Sequence, residues 1–247
     1  MQIEVEGATL NYEISGDSSN PALVLWHGAG CNLRMWDTAL KDLKERFFCI
    51  AFDVRGAGES IASTGPSDQF TFEQYSKDIN AILEELEIQK LHLWSMAWGT
   101  RAAIAYCSLN PEKVLSAVFS DASVGVADIA AQKEGVKKSL SIQDESGMAR
   151  FDLPVGWNKH LDPETAQLSL SAASKFNLSE AIEDLKMPIM LMTGDYDPNL
   201  KSSKEMLQRL PSARLKILEG VGHGSVLQRP DLTVTNFVEF HASLGLS

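Results

Sequence analysis

The segment LHLWSMAWGTRAAIAYCSLNPEKV, residues 91–114, decides the fold. LHLWS is a continuous run of strand-favouring residues, and the small and apolar residues from Trp98 to Leu109 predict a helix, which Asn110-Pro111 stops. Only two residues separate these runs, so the chain turns sharply from a strand into a helix. A buried strand followed at once by a helix is typical of a parallel sheet that is covered on both faces.

The same alternation extends along the chain in both directions. Residues 2–14 alternate with period two around Gly7, which predicts an antiparallel hairpin. Further strands are predicted at 22–26, 47–53, 114–121, 188–195 and 213–220, and helices at 33–46, 71–88, 201–210 and near the C-terminus up to Leu244. We therefore predict an α/β protein with a mostly parallel eight-stranded sheet flanked by helices.

One part of the chain departs from this pattern. Between residues 124 and 186 the segments are polar or helix-favouring and no strand-like run occurs. The sequence therefore predicts a core formed by residues 1–123 and 187–247, with a small helical cap inserted at 124–186.

Composition and charge exclude several classes of protein. The 247 residues include 33 Asp and Glu against 22 Lys and Arg, and a net charge of −11 repels phosphate backbones and anionic lipid. No apolar run reaches the roughly 18 residues that a membrane helix needs, and the first residues lack the pattern of a signal peptide. We therefore expect a cytoplasmic protein with no nucleic-acid or membrane partner; the oligomeric state is left open.

Cysteine spacing and glycine spacing argue against bound groups. Cys31, Cys49 and Cys107 are odd in number, widely spaced and without a CxxC pair, which predicts free thiols and no metal site. Gly56-x-Gly58 is an incomplete dinucleotide loop without the surrounding strand and helix spacing. We therefore expect no cofactor.

Chemistry-bearing residues follow several of the predicted strands. In an open parallel sheet such groups gather beyond the carboxyl ends of the strands, where the loops converge. The segments at these ends are HGAG (27–30), DVRGAGES (53–60), SMAWG (95–99), DAS (121–123), GDYD (194–197) and GVGHG (220–224).

In this order the segments resemble those of the α/β-hydrolase fold superfamily, nearly from end to end. HGAG is similar to the oxyanion loop of that family, DVRGAGES to its D-x-R-G-x-G-x-S turn, and GDYD with the late GH to its acid and histidine loops. The family carries its nucleophile in the middle of a small-x-nucleophile-x-small turn, and SMAWG therefore places Ala97 at the nucleophile position.

Spacing supports this register of the turn. Family members commonly carry a Pro-Glu-x-Val stretch fourteen residues after the nucleophile, and Pro111 stands fourteen residues after Ala97. A nucleophile at Ser95 would instead leave Ala97 and Trp98 where the strained turn needs small residues. We interpret Ser95 as a replacement for the usual glycine.

The resemblance also implies the partners of the missing serine. His223 is expected to be the general base, oriented by a carboxylate. The family places this carboxylate after either of two strands, so Asp197 is the favoured acid and Asp121 the alternative. The backbone N–H groups of Ala29 and Trp98 would form the oxyanion hole.

The function implied is hydrolysis of a small carboxylic ester, lactone or related acyl bond through a Ser-His-Asp triad, with Ala97 in place of the serine. Enol-lactonase-like and carboxylesterase-like members match the length best. The segment SMAWGT (95–100) also resembles the elbow of proline iminopeptidases, which have Trp-Gly-Ser or Trp-Gly-Thr there. An aminopeptidase is therefore a lesser alternative. Gly28, Trp157 and His160 are predicted to contact the substrate.

Two explanations of Ala97 differ in kind. A serine replaced deliberately would trap a complex, and this hypothesis is favoured because the oxyanion loop, acid and histidine all remain. A natural non-catalytic member would instead bind a ligand in the retained pocket. A third hypothesis is chemistry in which His223 acts as a base without a nucleophile, as in some lyases and cofactor-free oxygenases of the superfamily.

Overall fold

A computed structural model describes residues 1–63 and 67–245 of the chain. The strands are β1 (Gln2–Val5), β2 (Ala8–Ser15), β3 (Ala22–Trp26), β4 (Phe48–Phe52), β5 (Ile61–Ala62), β6 (Leu91–Met96), β7 (Val114–Ser120), β8 (Ile189–Gly194) and β9 (Ala213–Leu218). All nine belong to one sheet, in which eight follow the order β1-β2-β4-β3-β6-β7-β8-β9 and β5 pairs with β2 beside this path. The hairpin β1–β2 is antiparallel and every pair from β4 to β9 is parallel, so the predicted mixed sheet is confirmed.

One strand lies outside the prediction. β5 pairs with β2 through only two residues, Ala62 opposite Ala8 and Ile61 opposite Thr9. Two residues carry no periodicity, so the strand has no signal in the sequence and depends on the neighbouring edge.

The α-helices are α1 (Asp37–Leu43), α2 (Phe72–Glu85), α3 (Trp98–Leu109), α4 (Ile129–Glu145), α5 (Pro163–Ser169), α6 (Leu178–Ala181), α7 (Leu200–Arg209), α8 (Ser225–Gln228) and α9 (Pro230–Ser243). Short 3₁₀ turns cover Leu33–Trp36, Ser67–Gln69, Leu170–Ser174 and Ile182–Asp184. The helix predicted at 33–46 is therefore a 3₁₀ turn that continues into α1. The C-terminal helix is divided at Pro230, which occupies the first turn of α9 and cannot donate to a preceding carbonyl.

The insertion contains α4, α5 and α6 with short turns, and no strand occurs among residues 124–186. Capping explains where its helices begin, because Asp128, Asp162 and Asn177 each accept a hydrogen bond from a backbone N–H of the first turn. Whether this segment is a separate cap unit with the predicted boundaries stays a prediction.

Two apolar layers cover the sheet. One contains buried residues of α2, α3 and α7, such as Tyr75, Ile104 and Met206. The other contains residues of α1 and α9, where Trp94 stacks on Phe237 with ring centroids 4.6 Å apart. Among the described helices, none is long and apolar enough to cross a membrane. The chemistry-bearing segments follow the carboxyl ends of the parallel strands.

Candidate active site at the carboxyl ends of the strands

Ala97 occupies the sharp turn between β6 and α3. Its backbone has φ 54° and ψ −115°, a conformation that L-residues rarely adopt. Its N–H donates to Ser120 O at 2.8 Å, and its carbonyl accepts from Thr100 N at 3.1 Å. The turn therefore has the strained geometry expected of a nucleophile elbow.

Close packing explains the small residues around this turn. A Cβ added to Gly99 would lie 2.2 Å from His27 O, and one added to Gly28 would lie 2.9 Å from the Cε of Met96. Gly28 is also close to Ala97, since its added Cβ would be 3.7 Å from the Ala97 methyl group. The oxyanion loop and the elbow can approach each other only because these two positions lack side chains.

Ser95 points away from the elbow. Its side chain is fully buried, with its Oγ 3.2 Å from the Oγ1 of Thr100 and 3.5 Å from Val118 O. The residue with the strained backbone is Ala97, two positions further on. This geometry agrees with the register inferred from the spacing to Pro111.

His223 and Asp197 meet at the ends of β9 and β8. The Nδ1 of His223 lies 3.0 Å from the Oδ2 of Asp197, whose side chain is fully buried. The other oxygen of Asp197 accepts from Asn199 N at 2.9 Å, which fixes the carboxylate in its turn. With Nδ1 bound to a carboxylate, Nε2 of His223 is left as the proton acceptor of the neutral ring.

Asp121 lies beside this pair but serves the backbone. Its Oδ2 accepts from the N–H groups of Gly224 and Ser225 at 3.0 and 2.7 Å, and its buried Oδ1 has no described partner. Like Ala97, it has a positive φ of 54°. Asp121 therefore holds the loop that carries His223, whereas Asp197 contacts the imidazole itself.

Burial and charge shift the pKa values of this cluster. Burial and the neighbouring Asp197 raise the pKa of the Asp121 carboxyl to about 7, although His223 and Ser225 oppose the shift. Burial acts to lower the pKa of His223, but the hydrogen bond that its ring donates to Asp197 and the charges of Asp121 and Asp197 outweigh it. The pKa of the imidazole is therefore raised above its usual value, because the charges of Asp121 and Asp197 favour the protonated ring.

These three residues also form the one metal-compatible group among the described His, Cys, Asp and Glu side chains, with ligand atoms within 4.8 Å of one another. The Nδ1 of His223 and the Oδ2 of Asp197 already bind each other, and the Oδ2 of Asp121 already accepts two backbone N–H groups. The cluster is thus arranged as a hydrogen-bonded network around an imidazole.

A cavity of about 520 Å³ lies above the elbow, which is a size typical of small-molecule sites. Ala97 and His223 both line it, as do Ala29 and Trp98. The described backbone hydrogen bonds include none from the N–H of Ala29, and Trp98 is the first residue of α3, whose N–H has no partner within the helix. The two expected oxyanion donors are therefore free on one cavity wall.

The inserted segment supplies a mostly apolar wall of the cavity. Its contributions include Ile129 and Val136 of α4, together with Leu153, Trp157 and Leu170. Trp157, one of the predicted substrate contacts, lies on this wall, and its carbonyl also accepts from Asn32 N at 2.9 Å.

The other two predicted substrate contacts lie elsewhere. Gly28 packs behind the elbow and is not among the residues that line the cavity. His160 is also absent from the lining, because its Nδ1 accepts from Gly58 N at 2.9 Å and holds the turn after β4. The position of His160 in the insertion gave no sign of this contact, which spans 102 residues.

Three polar residues of the site were missed from the sequence. Asn199 donates to Asp121 O at 2.9 Å and so joins the two acid loops. Gln228 accepts from Gly222 N at 3.1 Å and donates to His223 O at 2.6 Å, which braces the histidine loop from both sides. Arg101 lines the cavity from the first turn of α3. Only Asn199 had a signal, because Asp-Pro-Asn favours a side-chain-supported turn.

Known proteins share the fold of this chain. A model of the α/β hydrolase fold matches residues 21–159, which is more than half of the chain. The chain is 24% identical to a proline iminopeptidase of Lactobacillus helveticus, over 89% of this chain and 90% of that protein. It is 21% identical to 3-oxoadipate enol-lactonase 2 of Acinetobacter baylyi, over 92% and 91%.

A solved structure shows the same architecture. The enol-lactonase from Burkholderia xenovorans LB400 superposes with a TM-score of 0.80 at 20% sequence identity, covering 98% of this chain and 100% of that one. At this identity the likeness shows the fold alone. Together with the match of the family model, it establishes that the chain belongs to the α/β-hydrolase fold family.

Proposed function

We propose that the cavity is the site of an acyl-bond hydrolase, which binds a small carboxylic ester, lactone or related acyl compound with its carbonyl carbon above residue 97. The observation that carries this proposal is the His223–Asp197 pair, 3.0 Å apart, on the wall of the cavity that the strained elbow also lines. Named relatives that hydrolyse lactones support the substrate class.

The proposed reaction needs a hydroxyl at position 97. A serine Oγ there would attack the carbonyl carbon while Nε2 of His223 takes its proton, and Asp197 would stabilise the imidazolium. The N–H groups of Ala29 and Trp98 would bind the oxyanion. The alkoxide would then leave with the proton from His223. A water deprotonated by His223 would attack the acyl carbon, the bond to Oγ would break, and His223 would return the proton to Oγ as the acid is released.

The chain as it stands lacks this step. The methyl group of Ala97 has no lone pair and no proton to transfer, so no acyl-enzyme forms at this residue. We infer that the Ala97 chain binds the acyl compound and leaves it uncleaved by this route, whatever the origin of the alanine.

The cavity gives less support to an aminopeptidase. A substrate with a free N-terminal ammonium group needs a counter-charge when it leaves water. Among the described residues lining the cavity there is no Asp or Glu, and the one full cation is Arg101. The charge of the wall thus favours neutral or acidic substrates.

The Ala97→Ser variant tests the proposal. We expect covalent labelling by a fluorophosphonate probe at residue 97 and hydrolysis of short-chain p-nitrophenyl esters at least about a thousandfold faster than by the Ala97 chain, because a triad nucleophile supplies several orders of magnitude. Mass spectrometry of the labelled peptide and steady-state kinetics provide the measurements.

Ala127→Ser is the matched control, since it adds the same hydroxyl to the cavity wall away from the elbow. It is expected to stay unlabelled. A folded Ala97→Ser protein that is neither labelled nor active would refute the triad. Hydrolysis by the Ala97 chain itself that His223→Ala abolishes would instead favour water activated by the histidine.

A further inference from the structure

No described carboxylate pairs with Arg101. Its Nε donates to Ser123 O at 3.0 Å and its Nη2 to Gly125 O, and both acceptors are backbone carbonyls. Five other arginines each pair with a carboxylate: Arg34 with Glu13, Arg55 with Asp78, Arg150 with Asp144, Arg209 with Glu183 and Arg229 with Asp231. Among the described residues that line the cavity, Arg101 is therefore a cation without a counter-ion.

Arg101 is half-buried, and its charge has no counter-ion among the described residues that line the cavity. Burial lowers the pKa of Arg101, but a guanidinium stays charged at any physiological pH. Carbonyl dipoles compensate a buried charge only in part. The Nη1 amino group has no described acceptor, so donors remain for a ligand. A guanidinium binds a carboxylate through two parallel N–H bonds, which suits this group better than a neutral oxygen.

Arg101 lies on α3 at a position that lines the same cavity as Ala97. It lies four residues after Ala97, so the two positions lie one helical turn apart and both line the same cavity. The cavity is also lined by Ile129, Val136 and Leu153, which offer contacts to a hydrocarbon chain.

We propose that Arg101 binds a free carboxylate of the substrate, so that the preferred acyl compound is an acid with an apolar chain between this carboxylate and the reacting carbonyl. The inference rests on the proposed function for the place of the carbonyl. It adds a specificity-determining residue and restricts the substrate to monoesters or lactones of dicarboxylic type.

Matched pairs of esters test this assignment. The monomethyl esters of glutaric and adipic acid would each be compared with the neutral ester in which the free carboxylate is replaced by the primary amide. In the Ala97→Ser background we expect kcat/KM for the acid to exceed that for the amide by about tenfold or more, since hydrogen bonds between charged groups are worth that much.

Arg101→Gln should bring the ratio of the two kcat/KM values to about one. Arg214→Gln is the control, because it removes the same charge from β9, where Arg214 lies over the ring of Phe240. It is expected to leave the ratio unchanged. If Arg101 only braced the loop through Ser123 and Gly125, Arg101→Gln would slow the hydrolysis of both esters alike and leave the ratio intact, which would overturn the assignment. A ratio near one in the Ala97→Ser protein that still carries Arg101 would overturn it as well.

Binding to the Ala97 chain separates this inference from the proposed hydrolysis. Isothermal titration calorimetry with monomethyl adipate and its amide counterpart should show tighter binding of the acid, and Arg101→Gln should remove the difference. If Ala97→Ser cleaves neither ester but this preference is present, the hydrolysis proposal fails and the carboxylate assignment stands. Equal binding of both ligands, or binding of neither, contradicts the assignment regardless of turnover.

Discussion

Two residues other than glycine have positive φ at the ends of neighbouring central strands, Ala97 after β6 and Asp121 after β7, both with φ 54°. Such backbone costs about 1–2 kcal/mol for a residue with a Cβ, so the surroundings must hold it in place. Ser120 O fixes the N–H of Ala97, and Met192 O fixes that of Asp121, both at 2.8 Å. The strain therefore falls on one residue that lines the cavity together with His223 and on one that binds the loop carrying His223.

The roles of the two acids can be separated in the Ala97→Ser background. Asp197→Asn is expected to lower kcat by about 10⁴-fold, because the imidazole loses the carboxylate that sets its tautomer. Asp121→Asn keeps an oxygen for the N–H groups of Gly224 and Ser225 and should cost about tenfold or less. Ester kinetics with folded variants measure both values. A larger loss for Asp121→Asn would reverse the assignment of the acid.

The pH dependence gives a second test at this scale. His223 accepts a proton only when neutral, and its pKa is raised, so kcat/KM of Ala97→Ser should fall with decreasing pH around a midpoint above 6.5. The charge of Asp121 contributes to this shift. Asp121→Asn is therefore expected to move the midpoint to lower pH, and a shift in the opposite direction would contradict the electrostatic account.

At the scale of elements, α4 is fixed to both loops of the histidine–acid pair. The Oγ of Ser139 donates to Gln228 at 2.9 Å, and the Nε2 of Gln143 donates to Gly220 O at 2.8 Å. Gly135 brings the helix against the acid loop, since a Cβ there would lie 2.1 Å from Tyr196 O. The cavity wall and the catalytic loops are thus parts of one packed unit.

This packing makes an unusual prediction for a glycine inside a helix. Glycine to alanine normally stabilises a helix by about 1 kcal/mol. Gly135→Ala should instead lower the free energy of unfolding by about 1–3 kcal/mol, because the backbone of Tyr196 cannot yield to the new methyl group without shifting the loop.

Urea unfolding of Gly135→Ala and Gly125→Ala measures this effect. A Cβ at Gly125 meets nothing within 4 Å, so that variant should be neutral or slightly stabilised. A stability gain for Gly135→Ala would show that α4 does not press on the acid loop.

Over the whole molecule, a pair of histidines joins the sheet to the C-terminal helix. The Nε2 of His92 on β6 lies 3.1 Å from the Nε2 of His241 on α9, and the Nδ1 of His92 lies 2.7 Å from the Oγ of Ser116. Burial lowers the pKa of His92 to about 4, with His241 contributing, and burial lowers the pKa of His241 as well. The pair is therefore built to be neutral, with one ring donating to the other.

The His92–His241 pair predicts that the folded protein loses stability in acid. Because the folded pKa of His92 is below the unfolded value of 6.5, the folded state binds fewer protons, and its advantage is present above pH 6.5 and lost as the pH falls. We expect His92 to account for about 2 kcal/mol of the loss in unfolding free energy between pH 7 and pH 5. Buried His27 shifts in the same direction.

Urea unfolding at pH 5, 6 and 7 compares the parent with His92→Asn and His241→Asn. Both variants should show a flatter dependence on pH than the parent. If the unfolding free energy depended equally on pH in all three proteins, the histidine pair would not be a cause of the acid sensitivity.

The amino-acid sequence by itself determined the α/β fold and the place of the elbow. Apolar runs, glycines that allow close approach and the helix stop at Asn110-Pro111 are local features, which act on neighbours within about one turn or one strand. The mixed sheet and the exact span of α3 followed from them. The resemblance to the family turn and the spacing to Pro111 placed the nucleophile position at Ala97 instead of Ser95.

Only the tertiary structure decided which groups meet. The sequence allowed both Asp121 and Asp197 as partners of His223, and the folded loops bring Asp197 to its Nδ1 while Asp121 binds backbone N–H groups. His160 contacts Gly58, and no carboxylate in the described part of the chain pairs with Arg101. Neither fact has a local signal. The physical reason is that a hydrogen bond depends on distances of a few tenths of an ångström between loops far apart in the chain, whereas a strand or helix depends on the pattern of its own residues.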